Sequence, residues 1–411
     1  MNDPQANQAD THDHRPAWSE QPTGDSGSIA VETRKPQPIG HLHCIDALRG
    51  LASLGVVVLH TTNAITQGSR NGVISTLHYL FQYGTFGVPL FFVISGFCIH
   101  RKQAERSAAG VDDSIAFRKY WKRRFFRLYP SYFTVCVGSA AFMAAAIATG
   151  FRSPLLTSYP GDPFSYLALD FLTHIFLIHS FFSLFDGGLG NPPLWTLARE
   201  EQYYLLYFPL LKFRKIAGVV ACLILSIVVS FAVFRISNIV PDENRGLRFL
   251  LETSSLAFWP QWVLGMLCME WLVSHRRSIS PGGVRAAILT GLAIIVVQKE
   301  FPLSSWTRIL MQGLGFYLIV SALTKQEACG RWIRTKCIRY LEAVGQYSYS
   351  LYLVNYPVLV IVGEFARARG SNDSLPMYLA FMALGIAVCN LAGYVLYALV
   401  ERHGQRKPAE S

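Results

Sequence analysis

Asp46, Arg49, Ser53 and His60 are spaced by three, four and seven residues in a stretch that is otherwise mostly apolar. At about 100° of rotation per residue the four share one helix face. Two charges and an imidazole in a lipid-compatible segment must look into a bundle or a wet cavity. Imidazole is the usual group for proton transfer near neutral pH, which makes His60 the candidate general base. Arg49 lies about 16 Å from it along the helix, at ~1.5 Å of rise per residue. Asp46 is farther still and is placed to pair with Arg49 at i, i+3. The base therefore needs a partner from another segment. Glu200 and Glu201 offer carboxylates in Trp195-Thr-Leu-Ala-Arg-Glu-Glu-Gln-Tyr-Tyr204. Glu200 is the expected partner, able to hold the imidazole tautomer and stabilise its charged form. The plainer readings are a salt-bridged helix end beside an unrelated histidine, and an acid that suits a helix N-terminus.

Other residues suggest an anionic ligand and a hydroxylated one. Arg124 and Arg127 lie one turn apart, and Arg49 points in from the first span. Guanidinium forks bind phosphate bidentately, so a phosphorylated carrier such as a coenzyme A thioester suits the three. In Gly345-Gln-Tyr-Ser-Tyr-Ser-Leu-Tyr-Leu-Val-Asn-Tyr-Pro357, Ser348, Tyr352 and Asn355 share a face, as do Tyr349, Tyr352 and Tyr356. Such a face lines a polar cavity for a sugar, or serves as contact between helices. A Walker loop, a GxSxG elbow, an HExxH pair and a dinucleotide loop are all absent from the sequence.

The elements that must position these groups are membrane spans. The chain is 51% hydrophobic and 15% charged, against about 25% charged in soluble domains. Its net charge of +11 sits beside apolar segments, where the positive-inside rule puts it, so no nucleic-acid partner is expected. The eight cysteines include no CxxC pair, and no disulfide framework or metal site is expected. His12 and His14 in the polar N-terminal stretch read as incidental. The pattern predicts an all-α polytopic bundle of about 10 spans. They fall near 44–64, 79–99, 128–149, 195–211, 216–236, 249–273, 284–299, 306–324, 346–364 and 376–400. Residues 1–40 read as a disordered cytosolic tail without a cleavable signal, 41–403 as the membrane domain and 404–411 as a second tail. Both termini are expected in the cytosol, because the basic loops 100–127, 274–285 and 325–340 fall on one side by count. Parity leaves 165–185, which holds Asp170, His174 and His179, as an interfacial or re-entrant segment. No internal repeat is visible.

Five pieces of this sequence, in order, resemble the acyltransferase 3 family of integral membrane acyltransferases. They are Ile45-Asp-Ala-Leu-Arg-Gly-Leu-Ala52 with His60, Gly87 to Phe97, Arg123-Arg-Phe-Phe-Arg-Leu-Tyr-Pro130, Leu194 to Tyr204, and Gly345 to Pro357. The resemblance implies transfer of an acyl group, often acetyl, from a cytosolic acyl-coenzyme A to a hydroxyl of an envelope or secreted glycan or a lipid-linked sugar. It implies a bacterial inner membrane protein in contact with lipid, with the coenzyme as substrate rather than resident cofactor. It gives His60 the role of base beside Glu200, and Arg49, Arg124 and Arg127 the nucleotide end. Trp195, Tyr349, Tyr352 and Asn355 become candidate substrate contacts, with Asp46 and Ser95 as supports. Three departures stand out. Asn355 replaces a frequent His, Thr196 replaces a frequent Ser, and no proline follows Arg402. No extracellular domain is expected after the last span, so a second transfer step would need a partner protein. The competing reading is a transporter or exporter of a polar or acylated metabolite. The sequence carries no sign of an oligomeric state.

Overall fold

The computed structural model describes residues 39–66, 71–156, 158–275, 279–371 and 373–406. His12, His14 and nearly all of the two expected tails lie outside them. The described residues are helical, without a strand. In chain order the helices are α1 His43–Ile65, α2 Gly72–Phe81, α3 Gly87–Ala108, α4 Phe117–Thr149, α5 Pro163–Ile175, α6 Trp195–Ile239, α7 Arg245–Glu252, α8 Ser255–Ser274, α9 Pro281–Glu300, α10 Ser305–Ala328, α11 Lys336–Gln346, α12 Ser348–Ala368, α13 Leu375–Leu396 and α14 Arg402–Arg406.

Among the described residues nine helical stretches are long and apolar enough to cross a membrane. One of them supplies two crossings. Helix α6 has 45 residues, or ~67 Å of rise, against a hydrocarbon core of ~30 Å. It breaks at Gly218, whose φ of 83° and ψ of 168° are not helical. Contacts with α8 show the reversal. In the first half, Tyr203 stacks on Trp262 and Arg214 pairs with Glu270, so the two helices run the same way. In the second half Ser230 donates back to the Ala257 carbonyl, near the start of α8. The basic knot Lys212, Arg214 and Lys215 stands at the turn, where charge belongs rather than in lipid. The nine stretches and this reversal reproduce the ten spans read from hydropathy.

Helix α5 has 13 residues, or about 20 Å of rise, too short to cross. It lies along α4 instead. The Tyr129 and Tyr132 hydroxyls donate to the Ile175 and His174 carbonyls, each at 2.9 Å. Farther along α4, Met143 packs against Gly190. The segment therefore dips beside α4 and returns, which selects the re-entrant alternative. Asp170 ties the fold-back together, accepting from the Tyr159 hydroxyl at 2.6 Å and the Leu189 amide at 2.5 Å.

Helix α1 is central and held at both ends. The Glu327 carboxylate of α10 accepts from the His43 and Cys44 amides, each at 2.7 Å, satisfying donors that a helix start leaves open. At the other end Arg367 and Ser371 donate to the Ala64 and Ile65 carbonyls. Glycines set the closest crossings. A Cβ on Gly96 would stand 1.9 Å from the Trp262 carbonyl oxygen, and one on Gly265 2.0 Å from that of Val93. Only the backbones of α3 and α8 could yield. Gly96→Ala and Gly265→Ala are each expected to destabilise the protein by about 1–3 kcal/mol, the range for forced overpacking. Thermal unfolding in detergent checks this, and a Gly138→Ala control, at a site with open space, should leave the midpoint near wild type.

Candidate active site

A cavity of about 480 Å³ opens between α1, α3, α4, α6 and α12. Arg49, Ser95, Arg124, Arg127, Glu200, Tyr349 and Tyr352 line it, with His41 and Asp46 also on its wall. The spacing arguments for the arginines and tyrosines therefore converge on one space. Glu200 is fixed within it: its Oε1 accepts from Ser95 Oγ and from the Tyr204 hydroxyl, both at 2.7 Å. Trp262 Nε1 in turn donates to Ser95 Oγ at 3.3 Å, so Ser95 links Glu200 to Trp262. The Arg124 guanidinium lies over the Tyr204 ring, 5.2 Å from its centroid, a favourable placement for a cation.

His60 meets a different partner from the one expected. Its Nδ1 is 2.7 Å from Asn355 Oδ1, and Glu200 is engaged with Ser95 and Tyr204 instead. The reason is depth. The re-entrant segment delivers the chain to α6 inside the bundle, not at its outer end. At that start the Tyr352 hydroxyl donates to the Pro193 carbonyl at 3.2 Å and accepts from Thr196 Oγ1 at 2.9 Å. Glu200 follows one turn deeper, at the level of Arg49 and Ser95.

Asn355 performs the orienting role that a carboxylate was expected to fill. Its Nδ2 donates to the Tyr352 carbonyl at 2.6 Å and to that of Leu351 at 3.3 Å. The amide oxygen must then face His60 and accept from it. Nδ1 carries the proton, and Nε2 is left with the lone pair a general base needs. The Tyr356 ring meets the imidazole edge-on, with centroids 5.5 Å apart. Asn355, expected as a substrate contact, is bonded to His60 and does not line the cavity.

Two further expectations are corrected. Asp46 does not pair with Arg49: its Oδ2 accepts from His41 Nε2 at 2.7 Å, because the lead-in folds back over the first turn of α1. Among the described residues Arg49 forms no ion pair, and its guanidinium faces the cavity. Trp195 does not line the cavity. It packs against Phe258 and under the Arg199 guanidinium, and so anchors the start of α6. The hydroxyls of Tyr349 and Tyr352 are also engaged, Tyr349 donating to the Leu128 carbonyl at 3.0 Å, so these two residues present mainly ring surface.

Glu401 was missed. A π-helical turn at Tyr397–Glu401 swings both residues into the cavity wall, as such turns often do at functional sites. Ser350 Oγ donates to its Oε2 at 2.6 Å. The available signal was a single acid at the end of an apolar run.

Beneath the cavity a buried polar network locks α3, α6 and α8. His100 bonds the Tyr207 hydroxyl through Nδ1 at 2.8 Å and Glu270 through Nε2 at 2.7 Å. Arg214 joins Glu270 to Asp113, which also pairs with Lys215 at 2.6 Å. Asp113 lies in the loop before α4. Burial works to raise its pKa, but the bonds from Lys215 and Arg214 outweigh it and hold the carboxyl below its usual value. A depressed carboxylate contributes stability above its unfolded pKa of about 3.9 and loses it as pH falls through the folded value. Asp113→Asn is accordingly expected to unfold more easily than wild type at pH 7, and the gap should close below about pH 3.9. Unfolding midpoints of both proteins across pH check this.

Comparison with known proteins follows the same lines. A family model described as an acyltransferase domain matches residues 42–394. The O-acetyltransferase OatA of Staphylococcus aureus (strain NCTC 8325 / PS 47) is 24% identical over 384 residues, covering 89% of this chain and 58% of that protein. The putative peptidoglycan O-acetyltransferase YrhL of Bacillus subtilis (strain 168) is 25% identical over 351 residues, 80% of this chain and 50% of its own length. The peptidoglycan O-acetyltransferase OatA of Listeria monocytogenes is 25% identical over 338 residues, 77% of this chain and 49% of its own length. The chain spans about half the length of these relatives. No solved structure matches it.

Proposed function

The chain belongs to the acyltransferase 3 family, and from that premise we propose that it is a membrane O-acyltransferase that moves an acetyl group from cytosolic acetyl-coenzyme A to a glycan hydroxyl. The observation that carries this is the cavity: three arginines without an ion-pair partner among the described residues line it, and Tyr352 on its wall stands one turn of α12 before Asn355, which holds His60, itself not on the wall, in a tautomer set for proton abstraction. Arg49, Arg124 and Arg127 hold donor phosphates through bidentate forks. The acceptor oxygen attacks the thioester carbonyl while His60 Nε2 takes its proton. The carbon–sulfur bond breaks, and the coenzyme leaves as a thiol once the imidazolium returns that proton to sulfur.

The lengths agree with this scheme. Arg49 and His60 are 11 residues apart, about 16 Å along α1, which is comparable to a pantetheine arm. Tyr352 lines the cavity, and Asn355, which holds His60, is three residues farther along α12, about 4.5 Å of rise. Basic residues gather at the Arg124 end, which supports a cytosolic donor side, cytosolic termini and a bacterial inner-membrane location. The relatives named as peptidoglycan O-acetyltransferases support an envelope glycan as acceptor. The exporter reading has no comparable support, since these relatives are all named for O-acetyl transfer.

Membrane vesicles holding the chain should release free coenzyme A from acetyl-coenzyme A when glycan fragments are supplied, with one acetyl ester formed per thiol released. Glycan or metabolite flux without thioester consumption would instead identify an exporter.

A further inference from the structure

The lead-in to α1 folds back so that His41, His43 and Asp46 meet at the rim of the main cavity. One nitrogen of each imidazole and one oxygen of the carboxylate all lie within 4.8 Å of one another. His41 and Asp46 also line the cavity. The backbone on either side is held by bonds that do not involve the three side chains. Glu105 and Arg101 of α3 bind the Ile39 amide and the Ile39 and Gly40 carbonyls. Glu327 of α10 binds the His43 and Cys44 amides. The cluster is therefore assembled before a ligand arrives, which lowers the cost of binding one. The hydrogen bond from His41 to Asp46 accounts for two of its members but not for the third. The His43 ring makes no hydrogen bond among the described residues. Glu342 Oε2 stands 3.9 Å from its Nδ1, and that carboxylate is engaged by Arg334.

Two imidazoles and a carboxylate form a ligand set for a borderline divalent cation, zinc above all. Zinc bonds of about 2.0–2.2 Å set tetrahedral donors about 3.4 Å apart. Small rotations of two solvent-facing imidazoles close the cluster to that spacing. Magnesium and calcium favour all-oxygen sets and do not match it. The missing CxxC pairs bear on cysteine sites only.

We propose that His41, His43 and Asp46 bind a zinc ion that fastens the lead-in to the start of α1 at the cavity rim. On binding, the His41 imidazole moves its proton to Nδ1. Its Nε2 then gives a lone pair to the metal in place of the hydrogen bond to Asp46. Water takes the fourth tetrahedral position. The ion binds whichever acyl donor and acceptor the cavity takes.

The test uses the full chain, purified without a histidine tag, stripped of metal by a chelator and placed in lipid nanodiscs. Wild type should bind one zinc ion per chain in a titration against a coloured zinc indicator, and cobalt in its place should give the visible absorption of a tetrahedral site. His41→Ala and His43→Ala should each weaken zinc binding about a hundred-fold or more, beyond the roughly 10- to 100-fold cost of losing a partner behind a ligand. His41 is exposed, so its variants should fold as wild type does. His41→Cys should keep the binding, because thiolate is itself a zinc ligand, and His41→Gln should lose it. Excess zinc should raise the unfolding midpoint of wild type and His41→Cys and leave that of the two alanine variants unchanged. A double variant, His12→Ala with His14→Ala, removes the histidines of the polar N-terminal stretch and should bind as wild type does. Saturation of wild type only at about millimolar zinc overturns the site. So does a wild-type affinity that survives in His41→Ala and His43→Ala but is lost in the double variant.

Discussion

His60→Ala is expected to lower acetyl transfer by about 10²- to 10⁴-fold, the range for loss of a positioned acid–base group. The fold should survive, because the imidazole makes one side-chain hydrogen bond, to Asn355, and packs edge-on to one ring. The variant should insert and unfold as wild type does, and bind donor with unchanged affinity, since Arg49 sits about 16 Å away along α1 and Arg124 and Arg127 are on α4. Asn355→Leu separates positioning from proton transfer. With the amide gone, Nδ1 loses its acceptor and the tautomer is no longer fixed. Its rate should fall by less than that of His60→Ala, and the two losses should not add in the double variant. Initial rates on purified protein, with donor affinity measured separately, check both points.

Arg127→Ala and Arg49→Ala are expected to lower kcat/KM for acetyl-coenzyme A by about ten- to a hundred-fold each, mostly through KM. A charge-assisted bond contributes about 1.5–3 kcal/mol, and each tenfold is about 1.4 kcal/mol. Lysine at position 49 should recover little, because a point charge does not reproduce a two-pronged fork. These losses should shrink as salt rises, while that of His60→Ala should not, since only the former remove a screened attraction. Donor saturation curves at two ionic strengths distinguish the cases.

Much of this arrangement was legible in the sequence. Hydropathy and basic loops recovered the ten spans, and the knot at Lys212–Lys215 marked the reversal that Gly218 makes. Helical spacing brought Arg49, Arg124, Arg127, Tyr349 and Tyr352 to one cavity. What spacing cannot supply is depth. Parity shows that 165–185 does not cross, but not how far it dips, and that dip decides where α6 begins. Glu200 was therefore assigned to His60 when it lies a level below, with Ser95 and Tyr204. Asp46 was matched to the nearest cation on its own helix, whereas the fold-back of the lead-in supplied His41. Asn355 read as a weakened histidine position, yet an amide pinned by two carbonyls orients His60 as a carboxylate would. Glu401 depended on a π turn, and hydrophobic periodicity does not register a one-residue change in helical phase.

The central claim is that a cytosolic thioester donates to a glycan across this cavity, with His60 as base. Its most direct test supplies acetyl-coenzyme A labelled with carbon-13 in the acetyl group to the cytosolic face of inverted membrane vesicles containing acceptor glycan. Mass spectrometry of the glycan then reads the label. Wild-type vesicles should place labelled acetyl ester on glycan hydroxyls, and His60→Ala vesicles with equal protein should place none. Equal labelling by the two, or no labelled ester from wild type, would contradict the account.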